Sequence, residues 1–101
     1  MVFVSIKPVI RSFGDKETEA IWQGRFSRRL PQDIQRLARR KLRMLDAAIN
    51  LQALTVPPSN RLDALRGDRR GQWSIRINDQ WRICFHWEGA DAHEAEIVDY
   101  H

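Results

Sequence analysis

Gln72-Trp73-Ser74-Ile75-Arg76-Ile77-Asn78-Asp79-Gln80-Trp81-Arg82-Ile83-Cys84-Phe85-His86-Trp87 alternates apolar and polar side chains in two runs. A period of two is the pattern of a strand with one buried face. Trp73, Ile75 and Ile77 share one face of the first run; Trp81, Ile83, Phe85 and Trp87 share one face of the second. If both apolar faces join one core, Ile77 lies opposite Trp81 and Arg76 opposite Arg82. The loop between them then has an odd length, most simply Asn78-Asp79-Gln80. A slip of one residue would bury the arginines. Two arginines opposed across a ladder repel. The pattern therefore asks for a counter-charge: Asp79, the C-terminal acids, or an anionic ligand bridging Arg76 and Arg82.

Downstream, Glu88–Asp91 reads as a second turn and Ala92–Val98 as a final strand. Upstream, Val9–Phe13 reads as a short first strand. Asp15 suits the N-cap of a helix from Lys16 to about Gln23, ended by Gly24. A second helix is predicted over Pro31–Asn50, with Pro31 at its first position. Its apolar face comprises Ile34, Leu37, Ala38, Leu42, Leu45, Ala48 and Ile49. Arg36, Arg39, Arg40 and Arg43 lie largely off that face. Leu51–Leu54 can add a turn, and Pro57-Pro58 stops any helix and enforces an extended loop. The order predicts an α+β domain, two N-terminal helices packed on an antiparallel β-sheet. The tryptophans Trp22, Trp73, Trp81 and Trp87 fit its core better than a base-stacking platform.

The chain of 101 residues is enough for one domain with a modest core. Hydrophobic residues make up 43%, which excludes compositional disorder. The single cysteine, Cys84, excludes an internal disulfide framework and fits a reducing compartment, so a cytoplasmic location is expected. No apolar run approaches a membrane span. The opening Met1–Ile10 is interrupted by Lys7 and Pro8 and lacks the pattern of a secretory signal. The net charge is +4 with a pI near 10.0. Residues 1–50 hold eleven Lys/Arg against five Asp/Glu, and residues 51–101 hold six against eight. No Lys or Arg follows Arg82. Such asymmetry suits a polyanionic partner, although a well-solvated surface has the same composition.

Arg61-Leu62-Asp63-Ala64-Leu65-Arg66-Gly67-Asp68-Arg69-Arg70-Gly71 combines arginine forks with glycine backbone, a chemistry suited to phosphate oxygens. It is not a Walker A loop; a charged turn between strands has the same look. Asp99-Tyr100-His101 ends the chain with three chemically able groups, yet spacing alone leaves it an ordinary chain end. Cys84 and His86 share a strand face, but His93 and His101 complete no metal-ligand spacing, so no metal and no cofactor is expected. Cys84 reads as a small buried residue.

Several segments together resemble the HigB-type toxins of the RelE superfamily. They are Ile10-Arg11-Ser12-Phe13, Arg40-Lys41-Leu42 with Met44-Leu45-Asp46-Ala47-Ala48, Pro57-Pro58-Ser59-Asn60-Arg61-Leu62 and Leu65-Arg66-Gly67-Asp68-Arg69. Gly71-Gln72-Trp73-Ser74-Ile75-Arg76, Asn78-Asp79-Gln80-Trp81-Arg82-Ile83-Cys84-Phe85 and Glu96-Ile97-Val98-Asp99-Tyr100-His101 follow in order. The resemblance covers about Val9 to His101. It implies one RelE-like domain there, with Met1–Pro8 as an N-terminal extension. It also implies a toxin of a type II toxin–antitoxin pair that cleaves mRNA on the ribosome without metal. Arg66, Asp99, Tyr100 and His101 are the implied catalytic residues. Arg82 is the implied strand arginine, and with Arg61, Asp63, Arg69 and Arg76 it makes the expected substrate-binding set. Some relatives carry histidine in place of Asp63 and lysine in place of Arg66; the second change keeps the charge, the first removes a proton carrier. The implied partners are a HigA-like helix-turn-helix antitoxin, the ribosome and mRNA, with operator DNA met only through the antitoxin and no membrane. The basic residues Arg28, Arg29, Arg36 and Arg40 are the expected landing surface for the antitoxin. The related ParE toxins share the fold and inhibit gyrase by binding, which is the rival expectation from outside catalysis.

Overall fold

In the computed structural model, which describes residues 8–100, two antiparallel strands carry the quoted stretch: β2 (Gln72–Arg76) and β3 (Trp81–Glu88). Their register sets Arg76 opposite Arg82, as the matching of apolar faces requires. The amide of Ile77 donates to the carbonyl of Trp81 at 2.9 Å. Within the loop, Asn78 Oδ1 accepts from the amides of Gln80 (2.9 Å) and Trp81 (2.8 Å), closing the turn with one side chain.

Two further strands complete a four-stranded antiparallel sheet in chain order, β1 (Asp63–Ala64) and β4 (Asp91–Asp99). Helices α1 (Lys16–Trp22) and α2 (Gln32–Asp46) precede all four strands and cover one face. That interface buries Ile21, Ala38, Leu42 and Leu45 against Ile75, Ile83, Phe85 and Ala95. The four tryptophans pack at its margin. Asp15 caps α1 by accepting from the Thr18 amide at 2.7 Å. Thr18, itself buried, accepts from the Ile97 amide at 2.8 Å and ties α1 to β4.

β4 carries a bulge that the pattern of Ala92–Val98 did not announce. His93 pairs with His86 and Glu96 with Cys84, so Glu94 and Ala95 together oppose Phe85. Glu94 adopts a positive φ of 54°. Without the extra residue, strict alternation would turn Glu94 and Glu96 inward and Ile97 outward. With it, Ala95 and Ile97 reach the core.

Three expectations need correction. Val9–Phe13 forms no strand of its own but two isolated parallel bridges to β4, at Ala92 and Ala95. The Glu94 bulge lies between those two contacts, and Ser12 Oγ accepts the Glu94 amide there at 2.9 Å. This segment precedes the helices, so they are not the first structured part of the chain. Second, α2 stops at Asp46 rather than Asn50. Asp46 Oδ1 accepts the amides of both Val9 and Ile10 at 3.0 Å, and Ile49 is 83% exposed instead of lying on the apolar face. Asn50 then caps a separate 3₁₀ turn, Leu51–Thr55. Third, Pro58 opens another short 3₁₀ turn, Pro58–Asn60, so the loop is not extended throughout. Met1–Lys7 of the expected extension, and His101, lie outside the described residues.

Lys41 sits inside the apolar stripe of α2 and is buried. Its Nζ donates to Oδ1 of the fully buried Asn60 at 2.6 Å, and Asn60 Nδ2 donates to the carbonyl of Leu54 at 3.1 Å. Burial, aided by the positive charges of Arg76 and Arg40, holds the Lys41 amine below its ordinary pKa. Asn60→Ala strands a buried ammonium and should cost about 2–3 kcal/mol. Lys41→Met removes the charge with its requirement and should cost less. A lysine whose folded pKa is depressed adds stability as pH rises towards its unfolded value. The wild type's advantage over Lys41→Met should therefore grow with pH in alkaline buffers below that value, read by urea unfolding of both proteins.

Candidate active site

The face of the sheet turned away from the helices carries Gln72, Ser74 and Arg76 from β2, Arg82 and Cys84 from β3, and Glu96 from β4. Asp63 joins this face from β1, opposite Ser74. Ser74 and Cys84 are fully buried even here, because long side chains lie over them. Arg69 spans the sheet, donating to Gln72 Oε1 at 3.1 Å and to Glu96 Oε1 at 2.9 Å. Its hydrogen bond to Glu96 holds its pKa above the ordinary value. Burial pushes the Cys84 thiol up, so this cysteine is a packed side chain rather than a nucleophile.

The residues that meet are Arg61, Asp63, Arg82 and Tyr100. Arg82 Nε donates to Ser74 Oγ at 2.7 Å, and Nη2 donates to the carbonyl of Arg61 at 2.6 Å. Its guanidinium carbon stands 5.6 Å from the centre of the Tyr100 ring. The Tyr100 amide donates to the Gln80 carbonyl at 2.6 Å, which fixes the chain end beside the β2–β3 turn. Arg61, Leu62, Asp63 and Arg82 line an open pocket of about 360 Å³. Arg61 has φ 46° and ψ 56°, a left-handed conformation unusual for a residue with a side chain.

The other candidates are held differently. Arg76 is paired with Asp79, which supplies the counter-charge that the opposed arginines require. Arg66 is exposed, next to Gly67 with φ 64°, and makes no side-chain hydrogen bond or ion pair among the described residues. It lies beyond the Gln72 end of β2, whereas Tyr100 lies near the Arg76 end. Those ends are about 13 Å apart at the usual strand rise. Asp99 is opposite Trp81 in the register, on the helix side, where Oδ2 accepts from Gln80 Nε2 at 3.2 Å. The structure thus separates Asp99 from Tyr100, and His101 is not described.

Sequence reasoning missed Ser74 and Asn60 as supports of this site. The signal for Asn60 was Lys41 itself, a cation at the 34, 38, 41, 45 spacing of the buried stripe. Ser74 was legible only as a small polar residue diagonal to Arg82.

A sequence model of the RelE-like toxins of type II toxin–antitoxin systems, HigB, matches residues 11–101. The chain belongs to that family. Toxin HigB-1 of Vibrio cholerae serotype O1 is 41% identical over 76 residues, covering 74% of this chain and 80% of that protein. The endoribonuclease HigB of Proteus vulgaris is 33% identical over 94 residues, covering 92% of this chain and the whole of its own. As a HigB-family toxin of a type II system, the protein is one half of a toxin–antitoxin pair.

The covering of Cys84 is testable. The folded toxin should resist iodoacetamide at mildly alkaline pH. Arg69→Ala, which removes the strap from β2 to β4, should speed alkylation by on the order of tenfold without lowering helix content. Alkylation at the wild-type rate would show that Arg69 does not shield the thiol.

Proposed function

We propose that this toxin is an endoribonuclease that cuts mRNA on the ribosome without a metal. Family membership supports the reading, as does the name of the Proteus vulgaris relative. The observation that carries it is Arg82, held on the outward face with Nη1 unpartnered among the described residues, beside Asp63 and the Tyr100 ring.

RNA carries its own nucleophile. Its 2′-oxygen attacks the adjacent phosphorus, the bond to the 5′-oxygen breaks, and a 2′,3′-cyclic phosphate and a 5′-hydroxyl result. One proton leaves the 2′-oxygen and one reaches the departing oxygen. The protein must stabilise charge on the phosphorane and move those protons. In our reading Arg82 binds the scissile phosphate, while Arg61 and Arg69 draw in the backbone. Tyr100 orients the 2′-hydroxyl or stacks on a base. His101 is the proposed proton carrier, and Asp63, lining the same pocket as Arg82, faces the bound strand as part of the substrate-binding set. Arg66 meets the phosphate if the RNA runs along the sheet face towards Gln72. Asp99 orients the chain end through Gln80.

The antitoxin proposed as partner is a HigA-like helix-turn-helix protein, through which alone the toxin meets operator DNA. Its proposed seat is the cationic cleft beside α1 and α2, lined by Arg25, Phe26, Arg36 and Arg39, where Phe26 is 60% exposed. We place the protein in the cytoplasm, where the lone thiol stays reduced. Among the described residues no helix is long and apolar enough to cross a membrane.

The test is cleavage of a translated mRNA against the same RNA without ribosomes, both with EDTA at a concentration the ribosomes tolerate. Cleavage confined to the translated sample, leaving cyclic phosphate ends, is expected. Equal cleavage of both would remove the ribosome from the reading, and intact mRNA with inhibited supercoiling would favour a gyrase inhibitor. Arg66→Ala should reduce cleavage by about a hundredfold if that side chain donates to the phosphorane, and Arg66→Lys should retain much of it. A folded Arg66→Ala protein with wild-type cleavage would remove Arg66 from the site.

A further inference from the structure

The three arginines on the outward face are held differently. Arg69 is paired with Glu96 and Arg76 with Asp79. Among the described residues Arg82 has no carboxylate partner; neutral oxygens of two residues hold it, Ser74 Oγ with a longer contact to the Ser74 carbonyl (3.5 Å), and the carbonyl of Arg61. A carboxylate would fix the guanidinium but also neutralise it. Neutral acceptors fix the fork and leave its whole charge for an incoming phosphate.

Both acceptor residues are themselves built in. Ser74 is fully buried between β1 and β3. The Arg61 carbonyl follows a turn clamped from inside: Asn60 accepts from Lys41 Nζ at 2.6 Å and donates to the carbonyls of Leu54 (3.1 Å) and Val56 (3.4 Å). Immediately after this clamp the backbone enters the left-handed region at Arg61, and in that conformation its carbonyl meets Arg82. A residue with a side chain stays there only where its surroundings hold it.

We propose that Ser74 and Asn60 are positioning residues for Arg82. Ser74 acts directly; Asn60, seated on Lys41, acts by holding the Arg61 carbonyl. The kinetic part of this proposal rests on the reading of Arg82 as the phosphate-binding group of an RNA-cutting site; its structural part does not.

The experiment compares Ser74→Ala, Arg82→Lys and the double variant in ribosome-supported cleavage. In parallel, the Nε–H and Nη2 signals of Arg82 are followed by NMR in the wild type, Ser74→Ala and Asn60→Ala. Ser74→Ala should lower kcat by on the order of tenfold with little change in KM and no loss of fold. Because Ser74 acts through Arg82, the double variant should be no slower than Arg82→Lys alone. The Nε–H should exchange slowly in the wild type and rapidly in Ser74→Ala, and the Nη2 protons, which meet the Arg61 carbonyl, should exchange faster in Asn60→Ala than in the wild type. Should Asn60→Ala fail to fold, Ser74→Ala, which deletes one hydroxyl, carries the test. Additive losses in the double variant, or an unchanged Nε–H in Ser74→Ala, would overturn the proposal. If the wild type cuts no mRNA while its Nε–H is protected and Ser74→Ala exposes it, the positioning stands and the nuclease reading falls.

Discussion

Arg76 and Arg82 face each other across β2 and β3, and the rest of the molecule depends on which side of the sheet they occupy. Moving β3 by one residue would exchange Ile83 and Phe85 for Arg82 and Cys84 beneath the helices. Each large apolar side chain lost from the core forfeits roughly 1.5–3 kcal/mol, and a buried unpaired cation costs several more. Asn78 reinforces the choice by closing a loop of the required length. The same register gives the two arginines unequal fates. Asp79, in the loop, reaches Arg76, which leaves Arg82 beside Ser74 and the Arg61 carbonyl with its charge uncancelled.

The bulge at Glu94 is the second decision, and it reaches the chain end. Alternation along β4 without it would turn Glu96, Val98 and Tyr100 towards the helices. One inserted residue reverses the phase, brings Ile97 to the core and sets Tyr100 beside Arg82. Asp99 and Tyr100, neighbours in sequence, point to opposite faces as extended backbone requires, and the bulge decides which of them faces outward. Of the two, it is Tyr100 whose ring stands over Arg82.

What could be seen in the sequence was local. The period-two hairpin, its register, the Asp15 cap and the stripe of α2 follow from spacing within about twenty residues. The failures are long-range. Asp46 ends α2 in partnership with amides more than thirty positions earlier. The two residues of β1 are too few to show a period, and its pairing with β2 carries Asp63 onto the outward face. Lys41 has no place among the apolar residues of the α2 stripe by its type, and only the arrival of Asn60 from the following loop explains how it is tolerated inside. The resemblance supplied the candidate residues of the site but not their grouping: the fold gathers Arg61, Asp63, Arg82 and Tyr100 and leaves Arg66 towards the far end of β2.

That grouping bears on how so small a site could work. Its pocket is open and, among the described residues, lined by four. An open surface of this kind supplies charge, through Arg82 and Arg61, but few contacts that would hold a flexible strand with its 2′-oxygen in line with the leaving oxygen. Correct alignment accounts for a large share of the barrier in such a displacement. A site strong in charge stabilisation and weak in grip performs best when the RNA arrives already held in an extended, ordered conformation. This is the physical ground for reading the toxin as one that cuts mRNA on the ribosome. The scaffold would hold the strand, and the neutral-oxygen cradle of Arg82 would meet its phosphate without first having to give up a carboxylate.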